Sequence, residues 1–175
     1  MTPPPFSRTI RVETIPRDGL TTRIKADAGE RAALAAFNDL PAINAFAATF
    51  SLRQGAGGNV VVHGDLDAEI TQTCVVTLEP FEASISAPID LRFAPPNAAP
   101  QPTGETEEVV VGEEDEPDPI VDGVIDLGAV ASEFLTLNLN PYPRKPGVAF
   151  EPPASGDERR SDSPFSALAS RKNHD

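Results

Sequence analysis

The sequence predicts an α+β fold, mainly an antiparallel sheet joined by two amphipathic helices. Three observations carry that expectation. The stretch from Val60 to Leu78 alternates apolar and polar residues along its length, the period of a half-buried strand. Alternating stretches on either side of it make a meander with one solvated face, as antiparallel sheets permit. Two other segments carry apolar residues at helical spacing behind favourable N-caps.

Size and composition set the outer bounds. The 175 residues predict one domain, residues 1–150, followed by a Pro-, Ser- and charge-rich tail over 151–175. Hydrophobic content of 39% is low and the 19 prolines are about twice the ordinary share, so part of the chain is expected to stay unpacked. One cysteine, Cys74, allows neither an intrachain disulfide nor a zinc-binding thiolate cluster. The opening Met1-Thr2-Pro3-Pro4-Pro5 has no leader character and no run is long enough to span a membrane, which reads as a cytoplasmic protein.

The net charge of −13 argues against a nucleic-acid clamp, because phosphate contact needs a basic surface. The acid is unevenly placed. Eight of the 27 acidic residues lie between Glu105 and Asp118, and −5 remains without them. Residues 1–31 instead carry six basic side chains, Arg8, Arg11, Arg17, Arg23, Lys25 and Arg31, against four acidic ones.

Taken in order, Phe6–Thr14 reads as a strand, Pro16 and Asp18-Gly19 as a turn, and Leu20–Ala26 as a second strand with Leu20, Thr22 and Ile24 inward. Asp27 and Glu30 form a capping box for a helix whose expected apolar face is Ala33, Leu34, Phe37 and Leu40, stopped at Pro41. Ile43–Arg53 returns to period two, with Phe46, Ala48, Phe50 and Leu52 on one face. Residues 54–59 make a hairpin loop ahead of the long strand, whose length predicts a bend or bulge near Gly64. Beyond a turn at Glu79-Pro80, Ala83, Ile85, Ala87, Ile89, Leu91 and Phe93 alternate with polar residues. The meander is expected either to stay open or to curl into a small barrel.

Residues 94–119 show no periodicity and are mainly proline, small residues and acid, the composition of an acidic mobile insertion. Asp126 then caps a helix presenting Leu127, Val130, Ala131, Phe134 and Leu135, which ends at Asn138-Leu139-Asn140-Pro141. Tyr142 is expected to fold back on the sheet. In the tail, Ser163 and Pro164 start a short helix whose Phe165 and Leu168 form an apolar knob.

Catalytic chemistry is thinly represented. His63 lies on a polar strand face and His174 is penultimate, so neither builds a dyad. Cys74 reads as a packed side chain on the apolar strand face, where burial would raise its pKa and leave it inert. Asp65, Asp67 and Glu69 line one strand face and could hold a divalent cation for a hydrolase, but such a row is also what a water-facing strand presents. The glycines at 55, 57 and 58 lack the lysine and following helix of a phosphate loop.

Three segments in order carry a resemblance: Gln72-Thr73-Cys74-Val75-Val76-Thr77-Leu78-Glu79-Pro80, then Ile125-Asp126-Leu127-Gly128 through Glu133-Phe134-Leu135-Thr136-Leu137-Asn138-Leu139-Asn140-Pro141, then Pro164-Phe165-Ser166-Ala167-Leu168. With an acidic insertion between the first two, the chain resembles the YceD family of large ribosomal RNA subunit accumulation proteins from Phe6 to about Lys172. The resemblance implies a non-enzymatic ribosome-biogenesis factor supporting accumulation or processing of 23S ribosomal RNA, without a cofactor. Many relatives carry Cys-x-x-Cys at this place and further cysteines after the second helix. Here Thr77 and the cysteine-free Tyr142–Gly147 stand instead, so any metal role is expected to be lost.

A −13 protein is expected to meet a basic ribosomal protein or a large-subunit assembly intermediate, with the acid run Glu105–Asp118 as one means of steering. Candidate interaction residues are Arg8, Arg11, Arg23 and Lys25, taken to share a strand face if RNA is touched, and Tyr142, Arg144, Phe165 and Leu168. The competing readings are a small adaptor unrelated to RNA and a metal-dependent hydrolase using Asp65, Asp67 and Glu69.

Overall fold

The computed structural model describes residues 5–96 and 117–149. The chain divides into two units, Met1–Lys145 and Pro146–Asp175, and of the second only residues 146–149 are described. The acid run between Glu105 and Glu116, the Phe165/Leu168 knob and His174 lie outside the described residues.

The elements are β1 (Thr9–Arg11), β2 (Leu20–Lys25), α1 (Ala28–Phe37), β3 (Ala42–Gln54), β4 (Val60–Thr73), β5 (Pro80–Ala94), β6 (Asp118–Pro119), β7 (Val124–Asp126) and α2 (Leu127–Asn138). β2 to β6 form one sheet in that order, antiparallel except for the two-residue parallel pairing of β6 on β5, while β1 and β7 form a separate antiparallel ladder. The five-stranded sheet stays open; it does not close into a barrel. α1 packs against β3 and α2 against β4 and β5, giving two layers with the core between.

Period-two patterning decides which face is buried. Phe46, Ala48, Phe50 and Leu52 of β3, with Val60, Val62, Leu66, Ala68 and Ile70 of β4, all face the core. Pro88 sits within β5 opposite Asp65 of β4, at a place where no further strand pairs on its other side, so its missing N–H breaks no ladder.

Several expectations are corrected. Of the strand expected over Phe6–Thr14 only Thr9–Arg11 forms, as β1, which pairs with β7, while Val12–Thr14 closes into a 3-10 turn. Gly64 carries no bulge; the register shift lies between Ile43 and Ala45. A Cβ at Gly64 would stand 2.6 Å from the Thr49 carbonyl oxygen and 2.8 Å from Phe50 Cδ1, so glycine leaves room for the Phe50 ring. In α1 the capping box forms, but the helix buries Leu34 and Ala35 while Ala33 and Phe37 are exposed. Asp118 and Pro119, assigned to the insertion by composition, form β6. The long strand ends at Thr73 rather than Leu78.

The N-terminal segment is pinned by one arginine. Phe6 is buried edge-on against Phe46, with centroids 5.4 Å apart, and the Arg8 guanidinium lies 4.5 Å over the Phe6 ring. Arg8 also forms a two-pronged bond to Glu30, at 2.8 and 2.9 Å, the same carboxylate that closes the α1 capping box. Its backbone N–H donates to Asp126, the N-cap of α2. No helix among the described residues is long and apolar enough to cross a membrane.

Candidate interaction surface

The end of the sheet where β3 begins and β4 finishes gathers segments that are distant in sequence. Antiparallel pairing sets Ala42 beside Thr71. The loop after β4 starts at Cys74 and is closed by the Leu78 N–H donating to the Cys74 carbonyl and the Cys74 N–H donating to the Glu79 carbonyl, both at 2.9 Å. Leu78 occupies the left-handed region at φ 60°, unfavourable for a branched L-residue. Apolar alternation continues by coincidence through Cys74, Val76 and Leu78, which is why the sequence reads as unbroken strand. A 19-residue strand exceeding the usual length was the available signal against it.

The chain leaving α2 lies along this loop. Gln72 donates to the Asn140 carbonyl at 3.4 Å, and the Val75 N–H to the Pro143 carbonyl at 2.9 Å. The Lys145 N–H points at Cys74 Sγ at 3.4 Å, and Lys145 Nζ pairs with Glu79 at 3.0 Å. That ion pair is open to water and contributes little by itself.

Cys74 is therefore neither on the strand nor inert in the expected way. Its sulfur is closed off from solvent by this loop cover and is not part of the core cluster. The Lys145 N–H, the Thr77 hydroxyl and N–H, and the Val76 N–H together hold the thiol down to about 6, outweighing desolvation, which acts in the opposite direction. Thr77 and Lys145, in the two places where the resemblance would put further cysteines, thus both donate to the Cys74 sulfur.

Apolar side chains crowd this end. Thr136 of α2 donates to Asn38, just past α1, at 2.8 Å, which brings the C-terminal ends of the two helices, with Leu137 and Phe37, to the same end of the domain. Of the six large hydrophobic residues exposed among the described residues, only Val121 lies elsewhere; Phe37, Val75, Leu78, Leu137 and Tyr142 all belong to this end. Tyr142 is 74% exposed and does not fold back on the sheet. Arg144 is exposed beside it and makes no ion pair among the described residues. Five large apolar side chains left in water at one end of the domain are the kind of exposure that contact surfaces carry.

A scan against family models matches residues 62–170, more than half of the chain, to "Large ribosomal RNA subunit accumulation protein YceD". The chain belongs to the YceD family. The match starts inside β4, so it is shorter at its N-terminal side than the resemblance read from Phe6; it includes the end of β4, the Cys74 loop and the segment after α2, but not β3 or Phe37. No curated protein and no solved structure matches the chain.

The other candidate residues fall apart from this surface and from each other. Arg8 is committed to Glu30, which pushes its pKa up and pulls that of Glu30 down through their shared hydrogen bonds. Arg11 lies on β1, in the separate ladder, 3.5 Å from Glu13. Arg23 and Lys25 alone share a face, the outer one of β2, so the four basic residues form no single strand face. Asp65, Asp67 and Glu69 stand in a solvent-facing row on β4; among the described residues no group of three or more His, Cys, Asp or Glu is placed to hold a metal ion. His63 pairs with Asp90 across β4 and β5 at 3.3 Å. Sequence reasoning missed Val75, Leu78, Phe37 and Leu137, because helical or alternating spacing assigned two of them to a buried face.

Proposed function

We propose that this YceD-family protein supports accumulation of the 23S ribosomal RNA without catalysing a reaction, by docking its apolar end on a protein or ribonucleoprotein of large-subunit assembly in the cytoplasm. The observation that carries the reading is the gathering of Val75, Leu78, Leu137, Tyr142 and Phe37 at one end, on elements that fall largely within the family match. The net charge of −13 disfavours bulk RNA binding. Tyr142, Phe37 and Arg144 are of the residue types enriched at protein-binding surfaces. Arg144 suits an acidic group at the rim of the partner's apolar patch.

The test is gradient fractionation of ribosomal particles from cells carrying either the wild type or a Leu78→Glu/Tyr142→Glu variant. The wild type is expected with large-subunit precursors, and the variant in the free fraction with reduced 23S RNA. A variant that folds, as its circular dichroism reads, and still co-sediments with normal RNA levels would overturn the docking surface. A wild type found only in the free fraction would overturn the function.

A further inference from the structure

The outer face of the five-stranded sheet carries its charges in separate columns. Arg23 and Lys25 point outward on β2, Thr49, Ala47 and Ala45 on β3, and Asp65, Asp67 and Glu69 on β4. Register sets two straight rows across the three strands, Arg23–Thr49–Asp65 and Lys25–Ala47–Asp67. The basic and acidic columns are two strand spacings apart, about 10 Å, and no ion pair joins the members of a row. Arg23, Lys25, Asp65 and Glu69 have no ion pair among the described residues, and Asp67 only accepts a bond from Ser86 at 3.2 Å. The small side chains between the columns leave a groove of about 450 Å³.

Opposite charges on either side of a column of small residues are complementary to themselves. A two-fold axis running over β3, parallel to it and midway between two facing sheets, sets β2 of one copy over β4 of the other and keeps position along the strands. Lys25 then meets Asp67 of the second copy and Arg23 meets Asp65, and each pairing occurs twice. Ala45 and Ala47 meet their own equivalents near the axis, where larger side chains would hold the sheets beyond the ~10 Å of face-to-face packing. With the axis over β3, strands β2 to β4 face the second copy and β5 overhangs its edge. The contact of roughly 15 by 30 Å is about half of the ~800 Å² that each partner buries in a standard interface, the size of a weak, concentration-dependent dimer. We propose that this outer face docks a second copy of the same chain as an isologous dimer, held by the Arg23–Asp65 and Lys25–Asp67 cross-pairs. The inference is independent of the apolar end, which the dimer leaves uncovered.

Light scattering of the full chain at rising concentration, with two charge-uniform variants, tests it. Wild type is expected to move from monomer to dimer mass. Arg23→Glu/Lys25→Glu and Asp65→Lys/Asp67→Lys are each expected to remain monomeric, and their equimolar mixture to recover a dimer. The mixture also shows that both variants are folded. A wild type that stays monomeric overturns the proposal. So does a dimer that either variant alone retains, which would place the contact on another face, and so does a mixture that fails to associate while the wild type dimerises.

Discussion

At Cys74, position changes chemistry more than residue type does. A sulfur on the apolar face of a strand would keep its proton, whereas one at the mouth of a loop collects N–H and O–H donors and gives it up more easily. The folded thiol has its pKa pulled to about 6, below the ~8.5 of a free cysteine, so ionisation favours the folded arrangement. The contribution is complete above the free-thiol value and is lost as pH falls through about 6. Hydrogen-exchange protection of the Lys145 amide should therefore rise between pH 5 and 8 in the wild type and stay level in Cys74→Ser. Identical profiles in the two proteins would contradict the role given to the thiolate. Leu78 four residues on holds a left-handed backbone with its side chain 76% exposed, a combination that costs stability without filling the core. Leu78→Gly should raise unfolding free energy by roughly 1 kcal/mol, since glycine adopts φ 60° freely, while weakening association with large-subunit particles. If the variant is less stable than wild type in denaturant melts, Leu78 is contributing packing that its exposure does not reveal.

Among elements, β2 to β5 were legible because each alternates over at least six residues and buries one face, so period and burial agree. The α1 and α2 N-caps were legible from Asp27, Glu30 and Asp126, whose side chains accept bonds from the first-turn N–H groups. What escaped was non-local. β1 is three residues long and meets a partner more than a hundred positions away, and nothing in Thr9-Ile10-Arg11 names Val124–Asp126. The α1 face was misassigned because an alanine-rich helix offers several weakly apolar stripes, and packing on β3 decides among them. Gly64 shows how a correct flag can carry a wrong reason: the glycine is needed, but for the Phe50 ring and not for a bend. Gly64→Ala should lower stability by about 1–3 kcal/mol, the range for overpacking a filled site. A denaturant midpoint unchanged from wild type would mean that β3 shifts freely to admit the methyl group.

For the molecule as a whole, charge and apolar surface are divided between regions with different uses. The outer sheet face is polar and columnar, the inner face is the core, and one end is apolar. The sheet and the two helices could be read from the sequence, while the interaction surface could not. Its parts come from four separate segments, at Phe37, Val75 to Leu78, Leu137 and Tyr142, and no period or motif joins them; only the closing of β3 on β4 and of α2 on α1 does. Where the chain departs from β5 and where it rejoins the sheet, Ile120 donates to the Ala94 carbonyl at 2.8 Å and β6 lies alongside β5. The two ends of the intervening span are thus fastened a single strand spacing apart. The pairing of β6 on β5 needs only these two anchored ends, so the sheet itself does not dictate how many residues stand between them.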